Sequence, residues 1–407
     1  MDVKRTSLWI LAALAATAVH AAQPAPAADG NAVRVGLIAP LSGPAGEYGK
    51  SVRLGAQLAV NEINEVGGYL GRRFELVVRD DKATPDEGRR AAQDLVLRQK
   101  VNFTIGFCNT GVAMQALDVF QDNRHVLLTP CASGSAVTAK YEPSRSYIFR
   151  NAVPEQVNSR FLARELVTRR GLAKVAVLAD STGYGEGGLK DISAELKLLG
   201  VQPVYVGRFA PGVKDLSGEM KAARAAGAVA LVVYAVGPEH AVAVRDRQAA
   251  RLGIPYFATW PLAARSVLGA AGARALEGTM MTQTVIQDAA NERRASFILR
   301  FAKLAGGPTE SLMAAAQSYD AVHLMLRAVF QTRGEFSGPA LKQALENLQR
   351  PYQGVVTIYD KPFSDSDHDA LSDNMLWLGT WRGGEVQFAH PEDAQRSGFT
   401  RRKQQQG

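Results

Sequence analysis

Short apolar runs alternate with longer stretches of helical periodicity along most of this chain. The first run, VRVGLIA at residues 33–39, stops at Pro40. Val52, Ala56, Ala59 and Ile63 then recur at steps of three and four, which is one face of a helix. Gly67-Gly68 stops that helix. Further runs at 75–78, 101–107 and 126–129 are separated by predicted helices opening at Pro85 and spanning 112–120. After Pro154 the cycle restarts. Helices at 156–170, 188–199, 216–226 and 239–252 each lead into a strand, at 175–179, 203–206, 230–234 and 255–258. This alternation predicts an α/β fold with parallel sheets covered by helices on both faces. Two cycles of similar length predict two related lobes, each Rossmann-like in architecture.

In open parallel sheets, ligands sit beyond the carboxyl ends of the strands. The informative residues are therefore those just after each run. In the first lobe they are 40–48, 108–111 and 131–135; in the second they are 181–186, 235–239 and 259–261. These segments are rich in Ser, Thr, Asn, Gly and Tyr. They supply hydrogen-bond donors, small residues and aromatic walls rather than acid–base groups. Loops 41–46 and 109–111 and Ser133-Gly134 each lead towards a helix, whose first N–H groups favour anions. Any one of them serves equally well as a cap; several at one sheet edge would hold a carboxylate without a cation.

The first thirty residues change the setting. Lys4 and Arg5, the apolar run 8–19 and the small residues before Ala21 predict a secretory signal peptide at 1–21, followed by an Ala/Pro/Gln/Gly-rich leader at 22–31. The apolar run is too short to span a bilayer, and no later stretch is long and apolar enough. The chain is thus expected to work in the periplasm, with no cofactor. Net charge is +8, with bases interleaved among acids, which argues against a nucleic-acid partner. A monomer is expected, ending in a flexible tail at 391–407. Cys108 and Cys131 each follow a predicted strand of the first lobe. In an oxidising compartment neighbouring strand ends predict a disulfide, the alternative being two free thiols at one edge.

Three chemical motifs weaken on inspection. Gly183-Tyr184-Gly185-Glu186-Gly187-Gly188 matches a dinucleotide fingerprint, but the next strand has no acid at its end to hold a ribose. A glycine-rich turn presenting Tyr184 is the better reading. Asp365-Ser366-Asp367-His368-Asp369 lacks the glycine and distal Glu of a calcium loop, and no His pair has zinc spacing, so no metal is expected. No G-x-S-x-G elbow is present, and Ser133 and Ser135 have no His or acid tied to them. An enzyme is not expected.

Taken together, these residues resemble the type I periplasmic solute-binding proteins of branched-chain amino acid ABC importers, the Leu/Ile/Val-binding class. The matching stretches are VGLIAPLSG at 35–43, Tyr48-Gly49, AVNEIN at 59–64 with Gly67-Gly68, Asp80-Asp81, Ile105-Gly106, YGEG at 184–187 and SYDA at 318–321. The resemblance spans residues 33–385 and is most specific in the N-terminal part. It implies a two-lobed clamp, with lobe one at 32–150 plus 282–354 and lobe two at 155–277 plus 360–390. Three strands would cross between the lobes, near 150–154, 277–281 and 354–360, and a closed form would dock on an inner-membrane permease. By position it implies Asn109, Thr110, Ala132 and Ser133 as small polar ligand contacts, with Tyr48 and Tyr184 lining the cleft. Two departures stand out. The family often pairs a Cys after the second strand with the one after the third, and here that position lacks Cys. Amino-acid binders also place an acid in lobe two for the ligand ammonium, where this chain has Trp260; Glu239 is the nearest candidate. The expectation is therefore a receptor for a small carboxylate or amide solute, with a sensory module of the same fold as the rival.

Overall fold

The computed structural model describes residues 31–287, 291–397 and 402–404. The predicted signal peptide lies outside the described residues. Two sheets organise the chain. The first contains β1 (Val33–Ala39), β2 (Phe74–Asp80), β3 (Phe103–Gly106), β4 (Leu127–Thr129) and β5 (Ile148–Arg150), all parallel, in the order β2-β1-β3-β4-β5. The second is built from β6 (Val175–Asp180), β7 (Tyr205–Phe209), β8 (Ala230–Tyr234), β9 (Tyr256–Ala258) and β10 (Met280–Gln283). After the small hairpin of β11 (Tyr352–Gln353) and β12 (Ile358–Tyr359), the chain adds β13 (Trp377–Arg382) and β14 (Glu385–Phe388), giving the order β14-β13-β10-β9-β8-β6-β7.

Burial explains why the runs are strands. All five residues of β8, ALVVY, are buried, as a parallel strand covered on both faces requires. β2 lies at an edge, and its residues after Phe74 are only partly covered. The expected parallel pattern is broken in the second sheet, where β13 pairs antiparallel with both β10 and β14, and in the β11–β12 hairpin. No helix among the described residues is long and apolar enough to cross a membrane.

The chain passes between the sheets three times, and two passages lie later than expected. It leaves the first sheet at Arg150 and starts helix Glu155–Ala163. β10 is still a strand of the second sheet, so the return follows Gln283 rather than lying at 277–281. Helix Leu312–Gln331 then packs along helix Gly46–Glu65, where Ser318 Oγ donates to the Val52 carbonyl at 2.7 Å. The third passage lies beyond Asp369, not at 354–360. Arg150 N donates to the His368 carbonyl at 2.9 Å, and the His368 ring stacks 3.8 Å from that of Phe149. Segment 363–370 is thus held against β5 by backbone bonds, the Arg150–Asp369 ion pair and an aromatic stack. The tail expectation also changes: residues 391–397 form a helix, and Lys403 Nζ donates to the Pro362 carbonyl at 3.0 Å.

Candidate functional site

The strand ends of the two sheets face one another, and the rims are in contact. Tyr48 lies in the first turn of helix Gly46–Glu65 and is 1% exposed. Its ring meets that of Trp260 edge-on, with centroids 5.1 Å apart, and its hydroxyl donates to the Pro261 carbonyl at 3.2 Å. Trp260 opens the short turn after β9 and is itself buried. Its indole N–H donates to Ser133 Oγ at 3.4 Å, across from the loop after β4. Ser135 Oγ donates to Asp191 Oδ2 of the opposite lobe at 2.6 Å. The backbones of Gly111 and Gly183 touch: a methyl on Gly183 would sit 3.3 Å from Gly111.

Of the expected ligand contacts, the structure gathers Tyr48, Ser133 and Trp260 into one cluster. Tyr184 stands on the second lobe, with its hydroxyl bonded to Thr259, the residue before Trp260. Thr110 Oγ1 accepts from Gly134 N at 3.2 Å, which ties the two first-lobe loops together. Ala132 is buried, and its N–H donates to the Phe107 carbonyl at 2.8 Å. Asn109 occupies the cap position of helix Thr110–Asp122 but makes no side-chain cap bond, and its Oδ1 has no hydrogen-bond partner among the described residues. Glu239 is placed differently. Its Oε1 accepts from Gly212 N at 2.7 Å, so it is bound to a turn of its own lobe rather than to the Trp260 cluster.

Two further expectations change. Cys108 and Cys131 are free thiols, both buried. The strand ends do bring them together, as the sequence implied, but they are not bridged. Burial, with Cys131 alongside, pushes the Cys108 thiol up. The glycine-rich turn at 183–188 is instead the start of helix Gly183–Leu198, capped by Thr182 Oγ1, which accepts from Tyr184 N and Gly185 N at 3.2 Å. Gly185 and Gly188 serve packing, whereas Gly187 faces open space. A methyl on Gly188 would lie 2.2 Å from the Tyr234 ring.

Sequence reasoning missed Glu155. It is the first residue of helix Glu155–Ala163 and is fully buried. An acid in a first helical turn is ordinarily a dipole partner, so nothing in the pattern singled it out. Its Oε2 accepts from Ser133 Oγ at 2.8 Å, while Oε1 has no partner among the described residues. Burial pushes its carboxyl up to about 8; Ser133, Arg150 and Asn158 oppose the shift, and the Asp191 charge adds to it. Burial likewise raises the Tyr48, Tyr184 and Tyr234 phenols, and the Glu155 charge adds to the last two. The remaining motif residues hold the scaffold. Asp80 accepts from Leu41 N and Lys82 N, and Asp320 accepts from Val355 N and Val356 N at the turn of the β11–β12 hairpin.

A hinge-like pair of sheets with facing, hydroxyl-lined rims is the architecture of a clamp. The family model described as periplasmic binding protein matches residues 32–385. The chain belongs to the periplasmic binding proteins. Curated members of the family include Leu/Ile/Val-binding protein homolog 3 of Brucella melitensis, 33% identical over 202 residues, covering 50% of this chain and 53% of that protein. The chain thus spans about half the length of such curated relatives. Two solved periplasmic binding proteins share the fold at 20% identity. They are the branched-chain amino acid transporter substrate-binding protein LivJ from Streptococcus pneumoniae in complex with isoleucine (TM-score 0.76, 88% of this chain, 98% of that one) and an ABC-transporter solute-binding protein from R. palustris in complex with benzoate (TM-score 0.75, 88% and 95%). The relatives and the fold are those of solute-binding proteins, not enzymes.

Proposed function

We propose that this chain is the exported substrate-binding component of an ABC importer, holding a small carboxylate-bearing solute between its lobes in the periplasm and delivering it to an inner-membrane permease. The observation that carries the reading is the Tyr48–Trp260–Ser133 cluster. Side chains from both lobes meet there around hydroxyls and an indole N–H, with no cationic side chain in the cluster. Asn109, Thr110 and Ala132 stand beside it on the first lobe, and Tyr184 closes the second. Neutral donors of this kind bind an anion in a water-poor site without the desolvation cost of a buried cation. The isoleucine and benzoate complexes of the structural neighbours span the solute classes to try first.

A thermal-shift screen of aliphatic amino acids, aromatic acids and amides tests the proposal. A true ligand at a hundred times its Kd stabilises the chain by about 2.7 kcal/mol and raises Tm accordingly. Scattering with the hit should then give a more compact envelope than without it. Conversion of the hit to product, or the absence of any stabilising small solute, would overturn the reading.

A further inference from the structure

Trp260 leaves the second lobe without a carboxylate at the expected position, yet the cleft is not without an acid. Glu155 enters from the first passage between the lobes. Its Oε2 is held by the Ser133 hydroxyl, the same oxygen that accepts from the Trp260 indole. Its Oε1 is buried and has no partner among the described residues.

The groups facing this carboxyl come from every neighbouring element. From β5, Arg150 directs its guanidinium elsewhere: Nε to Asp369 Oδ1 at 2.6 Å, Nη1 to the Ser133 and Gly134 carbonyls, Nη2 to Thr138 Oγ1. From helix Gly183–Leu198 come the Tyr184 phenol and the Asp191 carboxyl, the latter bonded to Ser135. From β8 comes the Tyr234 phenol, bonded to Ser159 Oγ at 2.7 Å, and from Glu155's own helix comes Asn158. No cation in this set hydrogen-bonds to Glu155. A fully buried carboxyl without a cation keeps its proton, because an isolated buried charge costs far more than a neutral acid. The neutral acid has one O–H to give and, on Oε1, no acceptor for it among the described residues.

We propose that Glu155 is a ligand-contacting, specificity-determining residue that enters the cleft as a carboxylic acid and donates its proton to the carboxylate of a solute lacking an ammonium group. The proposal rests on the reading of this cleft as a solute site. It selects among the solute classes named above. A plain monocarboxylate, aromatic or aliphatic, accepts the O–H directly. An α-amino acid offers an ammonium, which needs Glu155 ionised, and a group titrating near 8 must then lose its proton at pH 7, a penalty of about tenfold.

Benzoate and leucine are the probes, titrated calorimetrically into the full exported chain at pH 7 and pH 9 in two buffers of different ionisation enthalpy. Benzoate should bind more tightly at pH 7, weaken about tenfold by pH 9, and take up a proton at the higher pH. Leucine should be the weaker ligand at pH 7. Glu155→Gln, an isostere that donates but never ionises, should abolish the pH dependence and bind benzoate more tightly than the wild type at pH 9. Benzoate binding with the same pH profile in wild type and E155Q overturns the proposal and leaves the receptor reading standing. Leucine binding more tightly than benzoate at pH 7 also overturns it. The free protein offers a readout independent of folding changes in the variant: the Glu155 carboxyl carbon, followed by NMR, should titrate above pH 7, and a midpoint below 6 overturns the proposal. If neither probe binds, the proposal falls, and only the wider solute screen decides the receptor reading.

Discussion

Arg150 and Glu155 are near neighbours in sequence, flank the same passage between the lobes, and are both fully buried. Their surroundings are opposite. Arg150 has a partner for each of its three nitrogens: a carboxylate, two carbonyls and a hydroxyl. Among the described residues, Glu155 has one hydroxyl partner and an oxygen left over. The first pattern is how a charge is buried for structure, with its desolvation offset by geometry and charge complementarity. The second leaves a polar atom unsatisfied inside the protein, an arrangement that stability alone does not favour and that fits a site awaiting a partner.

Breaking the satisfied side should have the largest effect. Arg150→Ala takes the guanidinium from Asp369, from Thr138 and from the buried Ser133 and Gly134 carbonyls, while the backbone bonds of segment 363–370 to β5 remain, and should cost about 3 kcal/mol in urea unfolding. A cost below about 1 kcal/mol would mean that the ion pair is not what holds the third passage in place.

The unsatisfied side is sharpened by pH. Glu155 titrates near 8 in the folded chain against 4.5 for an ordinary glutamate. A raised folded-state value gives stability that is complete below 4.5 and is lost as pH climbs to 8. The wild type should therefore lose up to about 1.4 kcal/mol per pH unit across that window relative to Glu155→Gln. Parallel stability curves for the two proteins would show that Glu155 is ionised without penalty.

Smaller effects test the second lobe. Gly188→Ala forces a methyl against the Tyr234 ring behind Tyr184 and should cost about 1–3 kcal/mol. Tyr184→Phe removes only the hydroxyl bond to Thr259, so a loss of about 1 kcal/mol in stability is expected. If Gly188→Ala proves neutral, helix Gly183–Leu198 can shift on its sheet, and its glycines are not there for close packing.

What the sequence revealed and what it hid follow from the range of each interaction. The α/β alternation, the two lobes and the facing strand ends rest on local periodicity and on parallel strands being buried on both faces, so they are legible in runs such as ALVVY. Tyr48, Ser133 and Trp260 meet because they end or follow strands, which is again a local property. Glu155 was hidden because its meaning depends on what is absent around it, and no spacing records a missing cation. The late third passage was hidden for a similar reason. Arg150–Asp369 and Phe149–His368 are contacts between residues more than two hundred positions apart. The antiparallel pair β13 and β14 lies beyond the last clear strand–helix cycle, where the pattern no longer dictates direction.

On the proposed reading, the Trp260–Ser133 bond carries a consequence for how tightly any cargo is held. If the cleft is a solute site, the Trp260 indole, which donates to Ser133 of the other lobe, lets the ligand-free chain close around its own side chain. Uptake is then an exchange, with the incoming molecule displacing an internal occupant. The measured Kd would be the intrinsic value divided by the fraction of molecules standing ajar. Trimming the indole would alter that fraction even for cargo that never touches it.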